Sequence, residues 1–322
     1  MNVLPWHSDA LASLLQRHRE GRLPHALLLA GPPGIGRRRF AEALAAALLC
    51  LAPAADGTAC GDCSACQLRA AGTHPDRLYL APEDSSVIRI DQIRELIGQL
   101  ALSRHHAAWR VVILEPAEAL NIAAANALLK TLEEPPPQTL MILLATRLAH
   151  LPATIRSRCQ LLRMPLPSAD AATAWLRTQG VESPEQPLQL AGGAPLIARQ
   201  LDAECLERHA RLFEEWVALA EGRADPVKLA GEWIKPDAEW PIQWIQLWIG
   251  DMIRLRQGGQ ARLTATAATL QTLAGAIDLQ RLHRLLERVN ESRRLLASQV
   301  NAQTLLEGLL IHWHNLPRQK TA

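Results

Sequence analysis

Ala26-Leu27-Leu28-Leu29-Ala30-Gly31-Pro32-Pro33-Gly34-Ile35-Gly36-Arg37-Arg38-Arg39-Phe40 sets five apolar residues against a turn rich in glycine and proline. A short apolar run bounded by such turn formers reads as a buried strand. Phe40, Leu44 and Leu48 then recur every fourth residue, so a helix follows the turn. Upstream, residues 8–19 have helical spacing, with Ser8 as candidate N-cap and Leu11, Leu14 and Leu15 on one face. Downstream, Ile90, Ile93, Ile97 and Leu100 mark another helix, and a further one from about Asn121 to Leu132 is stopped by Pro135-Pro136-Pro137. Arg110–Leu114, Thr139–Ala145 and Gln160–Met164 read as second, third and fourth strands, whereas residues 51–88 read as polar loop. Strands alternating with helices predict an α/β fold with a parallel sheet covered on both faces. Beyond Pro167 the pattern is helical. A small helical unit is expected over 167–204 and an all-α domain over 205–322, after an α/β domain at 1–166.

The strand–turn–helix has the shape of a phosphate-binding loop. The template G-x-x-x-x-G-K-[ST] lays onto Gly31 to Arg38, keeping Gly31, Gly34 and Gly36 but placing Arg37 and Arg38 where lysine and a hydroxyl are needed. The lysine neutralises terminal phosphates and the hydroxyl ligates magnesium. A planar guanidinium is no compact ammonium, and Arg38 cannot ligate a cation. A working site also needs an acidic pair ending a neighbouring strand; here Glu115 is followed by Pro116, which cannot orient water. The alternative is an ordinary Gly-Pro turn between a strand and a helix.

The 322 residues exceed one ordinary core, and 48% hydrophobic with 20% charged residues describes a globular chain. The net charge of +2 argues against a dedicated nucleic-acid binder. No signal peptide or membrane-length apolar run is visible, so a cytoplasmic setting is expected, in which close cysteines suggest metal before disulfide. Cys60, Cys63 and Cys66 form C-x-x-C-x-x-C, and Cys50 lies upstream at the end of the first loop's helix. Four thiolates saturate a tetrahedral Zn²⁺ and make a structural site. An iron–sulfur cluster and His74 as a ligand are the alternatives. Cys159 and Cys205 read as isolated core thiols. Trp240, Trp244 and Trp248, at i, i+4 and i+8, read as core packing rather than a base-stacking platform.

Arg158 lies in Leu151-Pro-Ala-Thr-Ile-Arg-Ser-Arg-Cys159, just before a strand. Spacing alone favours an arginine paired with a surface carboxylate. Several segments together, however, resemble the clamp-loader branch of the AAA+ proteins. Ser157-Arg158-Cys159 is similar to that family's Ser-Arg-Cys motif, and Ala125 to Pro136 (Ala-Asn-Ala-Leu-Leu-Lys-Thr-Leu-Glu-Glu-Pro-Pro) to its long signature. Leu143-Leu144-Ala145-Thr146 resembles the sensor-1 strand, with Thr146 as sensor. The cysteine insertion with Gly72-Thr-His-Pro-Asp76 resembles bacterial members, Pro5-Trp6 near the start also fits, and Asn301 to Leu310 is similar to the end of the family's collar domain. Gly192-Gly-Ala-Pro-Leu196 departs from the pattern, placing Leu196 where sensor 2 carries arginine.

The resemblance implies a subunit with no ATP or Mg²⁺ in its own site that offers Arg158 in trans to ATP on a gamma/tau neighbour. It implies gamma/tau and delta subunits as partners, a helical collar for assembly, and a beta sliding clamp loaded on primed DNA through the complex. No membrane partner is implied. The rival readings are a divergent active ATPase, a nucleic-acid-binding zinc ribbon, and a scaffold whose Arg158 never engages nucleotide.

Overall fold

The computed structural model describes residues 3–83, 85–102, 107–296 and 300–316. In chain order the first elements are α1 (Ser8–Arg19), β1 (Ala26–Ala30), α2 (Arg37–Leu49), α3 (Ser64–Ala70), β2 (Arg77–Leu80), α4 (Ile90–Ala101) and β3 (Arg110–Leu114). They are followed by α5 (Ile122–Glu133), β4 (Thr139–Ala145), α6 (Ala153–Arg156) and β5 (Gln160–Arg163). Next come α7 (Ala169–Thr178), α8 (Glu185–Leu190), α9 (Pro195–Ala198), α10 (Ala203–Ala220) and α11 (Pro226–Trp233). The chain ends in α12 (Glu239–Arg256), α13 (Ala267–Gly275), α14 (Leu279–Leu295) and α15 (Ala302–His314). None of the helices searched is long and apolar enough to cross a membrane.

The chain groups into two compact units. One is Met1–Trp175 with Ala194–Leu196; the other is Leu176–Gly193 with Ile197–Ala322. Residues 167–204 are thus shared between the two.

In the first unit five strands form one sheet in the order β2-β3-β4-β1-β5, every neighbouring pair parallel. Alternation along each strand divides the core. Leu27, Leu29, Val111, Ile113, Ile142 and Leu144 pack with α1 and α2 on one face. Leu28, Val112, Leu114, Met141 and Leu143 pack with α4 and α5 on the other. The central strands β1, β3 and β4 are fully buried, as a parallel sheet requires, while the edge strand β5 is largely exposed.

Two expectations need correction. Residues 51–88 are not all loop, for they hold α3 and β2. β2 is an edge strand of four half-buried residues, Arg-Leu-Tyr-Leu, whose pattern is too short and polar to read. With it counted, Thr139–Ala145 is the fourth strand and Gln160–Arg163 the fifth. Ser8 is the first residue of α1 rather than its cap; the cap position is His7, with no side-chain hydrogen bond. His7 is buried against Trp6 and Phe40, and burial lowers its pKa to about 4.

A buried ion pair accounts for Asp76 of the Gly-Thr-His-Pro-Asp segment. Arg110 Nη1 donates to the carbonyls of Gln99, Leu100 and Leu102 at 2.9, 3.0 and 3.1 Å, capping the end of α4. Its Nη2 lies 3.4 Å from Asp76 Oδ1, and Asp76 Oδ2 accepts the Ala107 N–H at 3.1 Å.

The second unit is helical among the described residues. Trp216, Trp233, Trp244, Trp248 and Trp313 are almost fully buried, so of the spaced tryptophans Trp244 and Trp248 are core while Trp240 is half-buried against Trp244. Trp216 and Trp313 stack at 3.9 Å. Trp248 Nε1 donates to His209 Nε2 at 3.1 Å, and burial lowers the His209 pKa to about 4, keeping it a neutral acceptor.

Candidate functional site

All strands run parallel, so the residues following β1, β3 and β4 lie along one edge of the sheet, the edge where open α/β sheets bind ligands. The Gly31–Gly36 loop, Glu115 and Thr146 meet there. The loop's glycines are required by local packing. A Cβ on Gly31 would come within 2.1 Å of the Met164 carbonyl oxygen. Gly34 and Gly36 have φ of 75° and 93°, the left-handed region that favours glycine. A Cβ on Gly36 would meet Leu4 Cδ1 at 2.2 Å. Trp6 Nε1 donates to the Ile35 carbonyl at 2.9 Å, and the Leu196 N–H to the Gly34 carbonyl at 2.9 Å. The loop is braced by Leu4, Trp6 and Leu196.

Arg37 and Arg38 are engaged within the chain. Arg37 Nη2 donates to Thr146 Oγ1 at 2.7 Å. Glu118 Oε1 accepts the Thr146 N–H at 2.9 Å and the Arg147 N–H at 3.3 Å. Burial lowers the Arg37 pKa, while Glu118 and Glu115 act to raise it. The Arg38 guanidinium lies 4.5 Å from the centre of the Tyr79 ring, with its Nε 3.8 Å from Glu115 Oε2. Tyr79 OH donates to the same carboxylate at 3.3 Å. Thus Glu115, where the acidic pair would lie, and Thr146, at the sensor position, each face an arginine.

At the other end of α2 the four thiols converge. The Sγ atoms of Cys50, Cys60, Cys63 and Cys66 lie within 4.8 Å of one another. Four of their separations are 3.5, 3.9, 4.0 and 3.8 Å. A tetrahedron with Zn–S bonds of about 2.3 Å has edges of about 3.8 Å, so the donor set fits zinc. The Cys60 N–H points at Cys50 Sγ (3.3 Å) and the Cys63 N–H at Cys60 Sγ (3.4 Å), which favours thiolate. Burial acts to raise the Cys63 thiol, but backbone groups of Cys66 and Leu51 outweigh it and bring it to about 6. Burial pushes Cys66 up to about 12. His74 stands apart from this set: it is buried, and its Nδ1 accepts the Asp76 N–H at 3.1 Å. Cys159 is buried and Cys205 half-buried.

Arg158 follows α6 on a turn. Its Nε donates to Glu133 Oε1 at 2.6 Å, its Nη2 also reaches Glu133, and its Nη1 donates to the Thr154 carbonyl at 2.9 Å. The surface-carboxylate pairing weighed from the sequence is therefore present. Glu133, at the end of α5, is its partner; spacing gave no signal for it, because the two residues are 25 positions apart.

Comparison with known proteins follows the two units. The family model described as "DNA polymerase III, delta subunit" matches residues 6–168, and its C-terminal counterpart matches residues 203–315. The delta' subunit of DNA polymerase III from Pseudomonas aeruginosa is 37% identical, covering 98% of each chain. That from Yersinia pestis is 35% identical over 97% of this chain and 96% of its own. A gamma-subunit-related protein from Thermotoga maritima shares the fold at a TM-score of 0.50 and 17% identity, covering 96% of this chain and 98% of its own. The parallel sheet with its helical C-terminal region is thus the fold of that gamma-subunit-related protein. On matches that run nearly end to end, the chain belongs to the family of DNA polymerase III delta' subunits.

Proposed function

We propose that the chain acts as a clamp-loader stator, without ATP turnover of its own, that presents Arg158 to ATP bound on a neighbouring gamma/tau subunit. The observation that carries this reading is the contrast between two sets of arginines. Arg37 and Arg38 fill the chain's own nucleotide edge, whereas Arg158 stands on a half-exposed turn held by one surface carboxylate. A surface ion pair contributes roughly 0–1 kcal/mol, so exchanging the Glu133 carboxylate for a phosphoryl oxygen costs little. At the transferred phosphoryl the guanidinium stabilises charge that develops only in the transition state.

In the same reading Cys50, Cys60, Cys63 and Cys66 hold a structural Zn²⁺ that stiffens the loop at 50–66. The chain divides into an AAA+-like domain (1–166), a helical lid (167–204) and a helical collar (205–322). The collar joins gamma/tau and delta subunits, and the complex loads the beta sliding clamp onto primed DNA in the cytoplasm. The Arg158–Glu133 pair favours one rival, a scaffold whose arginine never meets nucleotide.

The two separate in a reconstituted loader carrying Arg158→Ala. The stator reading expects clamp- and primer-stimulated turnover at the adjacent site to fall by roughly 10³–10⁵, with assembly and metal content unchanged. Unchanged turnover reduces the chain to a scaffold.

A further inference from the structure

We propose that the cleft between α12 and α14 in the helical unit binds an acidic peptide segment carrying an apolar side chain. The cavity measures about 300 Å³. Gln246, Leu247, Gly250 and Arg254 line it from α12, Leu286 and Arg293 from α14, and Arg262 from the segment after α12. Positions 243, 246, 247, 250 and 254 follow helical spacing, so one face of α12 forms a wall roughly 16 Å long at 1.5 Å per residue. Gly250 sits midway, and a Cβ there would meet nothing within 4 Å. The cleft is open at its centre.

The charges around it are unbalanced. Arg254 pairs with Asp251, which is fully buried and also accepts the Leu263 N–H at 2.8 Å. Arg293 Nη1 donates to Gln246 Oε1 at 2.6 Å, and Gln246 Nε2 to Asn290 Oδ1 at 2.7 Å. These neutral contacts leave the Arg293 charge uncompensated, and Arg262 makes no ion pair among the described residues. No carboxylate lines the cavity. Guanidinium groups recognise carboxylates bidentately, while Leu247 and Leu286 offer apolar wall to a neighbouring side chain.

A nucleic-acid strand fits less well. Its affinity rests on many neutralised phosphates and on bases stacked against aromatic rings. This cleft offers three arginines, and no aromatic residue lines it.

The test uses the full chain and a short fluorescent peptide alternating glutamate with leucine, read by anisotropy. Saturable binding is expected, weakened about tenfold or more by each of Arg262→Glu, Arg293→Glu and Gly250→Leu. The first two change exposed charges and leave the helical core alone; the third fills the cleft from its floor. Circular dichroism and melting of the arginine variants should match the parent chain, so the result does not depend on Gly250→Leu folding. Absence of saturable binding, or equal binding by the arginine variants, overturns the proposal. So does labelled oligothymidine binding at least as tightly with the same sensitivity to the variants, which would make the cleft a nucleic-acid site.

Discussion

At its first turn α2 carries Arg37 and Arg38 behind the glycine loop; past its last turn it delivers the chain to Cys50, the first of four clustered thiols. The first end has the glycines of the phosphate-loop template, with arginines in place of its lysine and hydroxyl. Its glycines are accounted for by the Met164 carbonyl, by Leu4 and by positive φ, none of which involves a nucleotide. The second end brings four thiols together in a loop held by fewer contacts, among them Arg19 Nη1 donating to the Ala55 carbonyl at 3.1 Å and the buried Ala65 and Cys66 of α3. Residues 51–56 are exposed, Leu51 among them. The glycines of such a motif can therefore be required by packing alone. At the cysteine loop, by contrast, the four thiols are the groups whose removal tests what holds it.

The largest test of that contrast is Cys63→Ser. With the thiols holding zinc, this variant should lose the metal and on the order of 4–5 kcal/mol of stability. That corresponds to a fall of roughly 10–15 °C in melting temperature for a unit of this size. Elemental analysis and calorimetry check both. A variant that melts with the parent chain and never held metal would show that packing explains this end too, and the comparison would collapse.

A smaller effect is expected midway along α2, where Arg77 Nε donates to Glu42 Oε2 at 2.9 Å and ties the helix to β2. Glu42→Gln leaves the guanidinium half-buried without its charge partner, so urea unfolding should show a loss of about 1–3 kcal/mol. Metal content should be unchanged. If zinc is lost as well, the two parts of α2 are not independent and the contrast must be drawn for the helix as a whole.

The sequence showed what depends on local pattern. Strands β1, β3, β4 and β5 were legible because each is a short run ended by a turn or proline signal, and the cysteine set because its spacing is diagnostic. β2 was not, since an edge strand of Arg-Leu-Tyr-Leu owes its conformation to β3 rather than to its own periodicity. The glycine loop's departure from the template at Arg37 and Arg38 was legible in the sequence, but what those arginines contact was not. Arg37–Thr146 and Arg38–Glu115 join residues far apart in the chain and depend on the strand order. The same holds for Arg158–Glu133.

The smallest expected effect belongs to Arg37→Lys combined with Arg38→Thr, which restores the lysine and hydroxyl of the loop template. Stability should fall by about 0.5–1.5 kcal/mol, chiefly because half-buried Arg37 gives up its 2.7 Å hydrogen bond to Thr146 Oγ1, whereas Arg38 is mostly exposed and its link to Glu115 is long. Nucleotide binding should stay weak, with a Kd above about 1 mM, for three reasons in the geometry. Thr146 and Glu118 remain hydrogen-bonded to each other across the edge where phosphates would lie. Pro116 still supplies no carboxylate beside Glu115. Leu196 still packs on the loop, donating its N–H to Gly34 and bringing no cation. Calorimetric titration with Mg-ATP decides the matter. Micromolar binding by the double variant would mean that the loss was confined to two side chains, and that the rest of the edge still has the form of a nucleotide site. Weak binding would mean that function left this end of α2 through several contacts at once, while the glycines stayed because the fold required them.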